Sequence, residues 1–298
     1  MDFTTAKYKQ LLSALKGLGV PFAGFSDIAG NRAERFVVLR HDVDKKPENA
    51  LKLAKIEAAE SVKSSYHFRA SDNGFQDSYI SEIAGLGHEI AYHYEDLSAV
   101  AGRKAVSGGN ADPSLAEAAV IRFQMNLGRI RRISPVKVIS MHGSPLSPTD
   151  NRLLWKYHDY HSDGIVCEPY IDIDMSDILY LTDTGRRWDG DESAVRDRGF
   201  VAGGIHSPDP YSAWTVRPVR GSLMNMTPEG MAFRQSYNIR TTDEIINLAI
   251  DSRLPGRLII NTHPQRWDDD PAAWVTELIM QNLKNQIKKI LRLSKNPS

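Results

Sequence analysis

Short apolar runs alternate with amphipathic stretches along this chain. Phe36 to Leu39 (FVVL) is apolar and partly β-branched, which reads as a buried strand. It stops at Arg40-His41-Asp42-Val43-Asp44, four ionisable groups in five residues, which cannot continue into a core without partners. Upstream, Leu11, Leu12, Leu15 and Leu18 recur at helical spacing over residues 5–18, ended by Gly17, Gly19 and Pro21. Downstream, Pro47 and Glu48 open a helix through Ala50, Leu51, Ala54 and Ala58. The alternation then repeats. SSYHFRA (64–70) reads as a second strand, HEIAYH (88–93) as a third, VKVISM (136–141) as a fourth and GIVCE (164–168) as a fifth. DILYLT (177–182) is the sixth and RLIIN (257–261) the seventh. Helices are expected through Tyr79, Ile80 and Ile83, from Pro113 through Leu127, and from Thr241 through Ala249. Residues 187–230 lack periodicity and predict a long excursion over one face. Residues 271–293 predict an amphipathic C-terminal helix that packs on the domain.

Polar side chains follow the strand ends: His41, Asp42 and Asp44; His67 and Arg69; His93 and Glu95; His142; Glu168; Asp183; His263. Strand–helix alternation predicts a parallel sheet, and a polar rim repeated at one end predicts a closed, TIM-barrel-like α/β barrel. With no short repeat and no linker, residues 1–298 are expected to form one domain.

Composition narrows the function. With 41% hydrophobic residues there is ample chain for a core. Lys+Arg and Asp+Glu both total 37, so nothing advertises nucleic acid or an anionic membrane as a partner. The single cysteine, Cys167, excludes an intrachain disulfide and a multi-cysteine zinc site. No apolar run approaches the ~18 residues that span a bilayer, and the N-terminus lacks a signal-peptide core, so a cytoplasmic protein is expected.

Two aspartates and several histidines on one rim suit a first-row divalent metal such as zinc, held by three protein ligands with a position left for water or substrate. A carboxylate not bound to metal could take the water's proton, and a histidine across the site could protonate the leaving group. Asp42 or Asp44 fits the first role and His263 the second. Arg69 can bind substrate oxygens or pair with Asp42. Trp188, Trp214 and Trp267 are either sugar-stacking platforms or lids over the core.

LRHDVD at the first strand, GHEIAYH at the third and LIINTHP at the last resemble the polysaccharide deacetylases of the NodB-homology type, here with an HDVD first motif. The resemblance runs in order over roughly residues 35–265. It implies a distorted seven-stranded (β/α) barrel and a metal-dependent hydrolase that removes an N-acetyl or O-acetyl group from a sugar or glycan precursor. By it, Asp42 matches the catalytic base, His263 the leaving-group acid, and Asp44 and His93 metal ligands. The family's second histidine falls at Leu97, which cannot ligate; His142 is the expected replacement, with Glu95 next. Arg69, Glu95, Asp183 and Arg186 are expected to bind substrate, and Asp183 and Arg186 could instead orient His263. Two other readings stay open: a non-catalytic glycan-binding relative, and a metal hydrolase of a non-sugar amide.

Overall fold

Six of the seven apolar runs pair as strands, and every pairing is parallel. The computed structural model describes residues 1–29, 34–71, 75–102, 112–143, 149–188, 237 and 239–282. The strands are β1 (Phe36–Val43), β2 (Ser65–Phe68), β3 (Glu89–Tyr94), β4 (Val138–Met141), β5 (Leu179–Thr182) and β6 (Arg257–Thr262), in the order β4-β3-β2-β1-β6-β5. The α/β architecture is a sheet curled into a half-barrel with helices packed on it. The last strand lies beside the first, with Phe36 opposite Arg257 and His41 opposite Thr262.

The expected fifth strand, 164–168, is reduced to a single bridge between Val138 and Cys167 at the outer edge of β4. Its length explains this. Gly164 enters with a left-handed φ of 73°, and Glu168 already caps a short helix that begins at Pro169. Too few residues remain between turn and cap for a ladder. Among the described residues no ladder joins this edge to β5, so the closed seven-stranded barrel appears as an open six-stranded one plus a bridge. Most of the expected excursion, including Trp214, lies outside the described residues, as does the tail beyond 282. Residues 271–282 are helical, but Val275, Ile279 and Met280 are exposed, so the apolar side of this helix is only partly packed.

Strand alternation sorts the side chains onto two faces. Val37, Leu39, Leu179, Leu181, Leu258 and Ile260 pack outward against α1 (Thr5–Gly17) and the Thr242–Ile250 helix. The Thr241 and Glu244 capping box fixes the start of the second of these, as its sequence predicts. Further along the sheet, Ile80, Ile83, Phe123 and Leu127 from two other helices cover β2 to β4. The inward face is polar at its C-terminal end: Arg40, Asp42, His67, His93, Ser140 and Asn261.

One buried polar cluster lies on the outer face. Glu57, on the Pro47–Ala59 helix, accepts hydrogen bonds from Tyr8 Oη, from Tyr66 Oη at 2.6 Å and from His41 Nε2 at 2.7 Å. His41 Nδ1 sits 2.6 Å from Thr262 Oγ1 on β6. Burial opposes the Glu57 charge, but His41 and these hydrogen bonds outweigh it and lower its pKa. The cluster ties β1, β2 and β6 to two helices where none of its members meets solvent. His88, with Nδ1 accepting from Ser64 N and Nε2 at 3.0 Å from the Ala54 carbonyl, is a fold residue.

Glu57→Ala should therefore destabilise the protein by about 3–5 kcal/mol in urea unfolding, the usual cost of stranding one partner of a buried pair. The Glu57 contribution is present above the unfolded carboxyl pKa of about 4.3 and is lost as pH falls through its lower folded value. Glu168 has the opposite sign. Burial pushes it up to about 7, although it accepts from Met141 N and Tyr170 N. Its stabilising contribution is complete below the unfolded pKa of about 4.3 and is lost as pH rises through about 7. The melting temperature should fall between pH 5 and 8, and fall less in Glu168→Gln.

Candidate functional site

The charged end of β1 works because side chains two apart share a face. Arg40 and Asp42 both point inward, and Arg40 grips Asp42 with two bonds, Nε to Oδ1 at 2.8 Å and Nη2 to Oδ2 at 3.2 Å. Asn261 Nδ2 adds a third at 2.9 Å. Tyr170 Oη and Ser140 Oγ accept two further Arg40 N–H groups at 3.0 and 2.9 Å. Burial penalises the Asp42 carboxylate, but Arg40, then His93, His263 and His67, hold its pKa well below the usual carboxylate range. Asp42 is thus an ionised, fixed acceptor at neutral pH.

Two residues beyond Asp42, just past the strand end, Asp44 meets His93 and His142. The ligand atoms of these three lie within 4.8 Å of one another. Asp44 Oδ1 is 3.9 Å from His93 Nε2 and 3.7 Å from His142 Nε2. Two ligands each about 2.0–2.1 Å from a zinc-sized ion can be no more than about 4.2 Å apart, so both spacings fit. Among the described residues Asp44 Oδ1 is also buried without a hydrogen-bond partner, an acceptor suited to a cation. One carboxylate with two imidazoles is a donor set that suits a first-row divalent ion. Asp44, His93 and His142 therefore fit a metal.

The second nitrogen of each imidazole is already used. His93 Nδ1 lies 3.1 Å from the Ser140 carbonyl, and His142 Nδ1 lies 2.9 Å from Glu95 Oε2. Each Nδ1–H can donate there, which turns an Nε2 lone pair toward Asp44. Burial pushes His93 down to about 4 against the pull of Asp42, so it is neutral and able to ligate at neutral pH. Glu95 is kept ionised, its pKa held down to about 2 despite burial by His142 and Arg69. Arg69 bonds both Glu95 oxygens, at 2.6 and 2.8 Å.

The sequence-derived residues thus sort by position. Asp42, Asp44, His93, His142 and the braced His263 gather at one rim. Arg69 and Glu95, expected at the substrate, are bonded to each other, and Glu95 also holds His142. It is Arg40 that pairs with Asp42. Asp183 orients His263, with Oδ1 2.7 Å from its Nδ1 and Oδ2 accepting its backbone N–H at 3.0 Å. The Arg186 guanidinium lies over the rings of Trp274 and Phe3, at 4.5 and 5.0 Å. Trp188 and Trp267 are buried, so of the two outcomes considered for them the structure shows core packing. Leu97 is fully buried in the core. His67 is neutral, its pKa pushed well down by burial and by Arg40, and its ring sits between Ser65 and Ser140. Asn261, Ser140 and Arg266 were given no role from the sequence, although Asn261 lies within LIINTHP. Asn261 was findable, since it is directly opposite Arg40 once β6 is registered on β1.

No family model matches this chain, and no curated protein matches it. Some solved structures show low similarity. A CE4 esterase of Streptococcus mutans has 12% identity and a TM-score of 0.40, over 95% of this chain and 92% of that one. The peptidoglycan deacetylase PdaC of Bacillus subtilis has 10% identity and a TM-score of 0.34, over 87% and 96%. A CE4-family pseudoenzyme of Bacillus anthracis has 11% identity and a TM-score of 0.39; the chain spans 85% of its own length and 63% of that protein's.

Titration calorimetry with Zn²⁺ should find about one strong site per chain. Asp44→Asn, His93→Ala and His142→Ala should each abolish it or nearly so. Glu95→Gln should weaken it roughly 10- to 100-fold, the usual effect of removing the partner of a ligating histidine. Asp42→Asn should leave the stoichiometry intact.

Proposed function

We propose that this protein is a metal-dependent hydrolase that removes an N-acetyl, or alternatively an O-acetyl, group from a sugar or glycan precursor. One observation supports the chemistry: three residues that could hold a metal, Asp44, His93 and His142, sit beside the Asp42 carboxylate, with a braced histidine at the same rim. The HDVD, HEIAYH and LIINTHP motifs support the acetylated sugar as substrate class.

A divalent ion, most simply zinc, held by Asp44, His93 and His142 would lower the pKa of a water and polarise the acetyl carbonyl. The chain's own residues do the rest. Asp42, aimed by Arg40 and Asn261, accepts the proton of the attacking water. His263, held at Nδ1 by Asp183, keeps Nε2 available for the departing amine. Protonation there matters because an amine anion is a poor leaving group. The wall of fixed donors around Asp42 removes the need to reorganise as charge moves.

Acetate release from N-acetylated chito-oligosaccharides, measured with zinc-loaded protein, is the direct test. Absence of release with a fully loaded metal site would favour the glycan-binding reading, and release only from non-sugar acetamides the amide-hydrolase reading. Asp42→Asn should keep the metal and lower turnover roughly 10²-fold or more, the usual scale for a positioned base. His263→Ala should lower turnover of the amide more than that of p-nitrophenyl acetate, whose leaving group needs no proton. Equal losses would assign His263 to substrate binding instead.

A further inference from the structure

His93 stands within a strand, but Asp44 and His142 each lie one residue past one. A residue just beyond a ladder can swing about its backbone unless other groups hold it. His142 is held at three points. Its backbone N donates to the Tyr94 carbonyl at 2.7 Å, and its ring Nδ1 lies 2.9 Å from Glu95 Oε2. The third point is its own carbonyl, where the chain turns away from the sheet. Asn151 takes it, with Nδ2 donating at 3.0 Å from nine positions further along the chain.

Asn151 is itself fixed. It is 1% exposed, and its Oδ1 accepts from Ser98 N at 2.8 Å. Ser98 N–H can only donate and the His142 carbonyl can only accept, so the amide has one orientation that satisfies both. Ser98 lies in the first turn of the Asp96–Ala101 helix, which Glu95 precedes, and its Oγ donates to the Glu95 carbonyl at 2.9 Å. The same short segment therefore reaches His142 twice, through Glu95 at the ring and through Asn151 at the backbone. From the other side, Asn151 opens the 3-10 turn Asn151–Lys156. Buried Trp155 in that turn donates from Nε1 to Tyr94 Oη at 2.7 Å. Tyr94 is also the residue whose carbonyl receives His142 N. Support and ligand thus share one reference point on β3.

We infer that Asn151 is a positioning residue of the metal site, which fixes the backbone of His142 so that Nε2 is set opposite Asp44 whether or not an ion is present. This rests on the reading of His142 as a ligand. Both ends of the Asn151 amide are spent inside the protein, so it acts through His142 and not on the ion or the substrate. A ligand ordered in advance raises affinity because binding no longer bears the cost of ordering it.

The test is zinc affinity by titration calorimetry on the full-length protein, with Co²⁺ absorption spectra as a readout of ligand geometry. Asn151→Leu keeps the approximate shape and removes both hydrogen bonds. It should weaken zinc binding roughly 10-fold or more, the scale for outer groups that orient a ligand, and should change the visible Co²⁺ bands. Leu15→Ala, a core truncation in α1, controls for lost stability and should leave both readouts of the folded protein as they were. Asn151→Leu and Glu95→Gln combined should cost clearly less than the product of their separate effects, because a ligand already loosened is not loosened again. Native affinity and spectrum in Asn151→Leu would overturn the inference, and so would a double variant that shows the full product. In the unmodified, metal-free protein the Asn151 side-chain amide hydrogens should exchange slowly with solvent. Fast exchange there would also overturn it, and that measurement needs no variant to fold. If His142→Ala binds zinc as tightly as the unmodified protein, the ligand reading and this inference fall together. If His142→Ala loses zinc and Asn151→Leu does not, this inference alone falls.

Discussion

The structure depends on a buried negative charge that has to be answered. Asp42 stands inside a sheet, among groups with almost no access to water, and an isolated carboxylate there would simply be protonated. Arg40, on the same strand and the same face, answers it with two bonds. The pair in turn dictates its surroundings. Tyr170 and Ser140 accept two of the other Arg40 N–H groups, and Asp42 gains Asn261 from the neighbouring strand. The interior of the half-barrel is polar near this rim because one fixed charge requires a chain of partners.

The metal-fitting residues extend that logic outward. Asp42 has three donors at its carboxylate, whereas Asp44 has Gln265 at one oxygen and, among the described residues, no hydrogen bond at the other. The histidines that face it are both turned by bonds on their far nitrogens, one to a backbone carbonyl and one to a carboxylate clamped by arginine. At the other side of the rim, Asp183, itself bonded by Arg266, does the corresponding work for His263. His93, His142 and His263 are each held at Nδ1 by a neighbouring acceptor.

How much of this could be read in the sequence follows from distance along the chain. Asp42 and Asp44 were legible because an apolar run ends in charge, and His93 and His263 because each closes a comparable run. The architecture was legible from strand–helix alternation. Residues 164–168 misled because GIVCE has the composition of a strand, while the flanking Gly164 and Glu168-Pro169 leave it no length to pair. Arg40 and Arg69 look alike in the sequence, both arginines at strand ends, and only the pairing register separates the one that holds Asp42 from the one that holds Glu95. His142 could be singled out as a rim histidine, but its convergence with His93 and Asp44 is a property of β3 and β4 lying side by side. Arg266 gave no signal, since its bond to Asp183 depends on a turn that folds it back on a residue three positions earlier.

The placement of β6 against β1 has a consequence for how the molecule comes into being. His41 and Thr262 touch across 221 positions of sequence, and Asp42 and Asn261 across 219. During synthesis at about 5–20 residues per second, the open edge of β1 would wait roughly ten to forty-five seconds for its partner strand. Through that interval an apolar edge has all its backbone donors and acceptors on offer to other chains, and the carboxylate beside it lacks the asparagine that completes its shell. The nascent protein is most vulnerable to aggregation just before its last strand emerges, and a chain truncated short of residue 257 keeps the motif of β1 while lacking the surface that protects it.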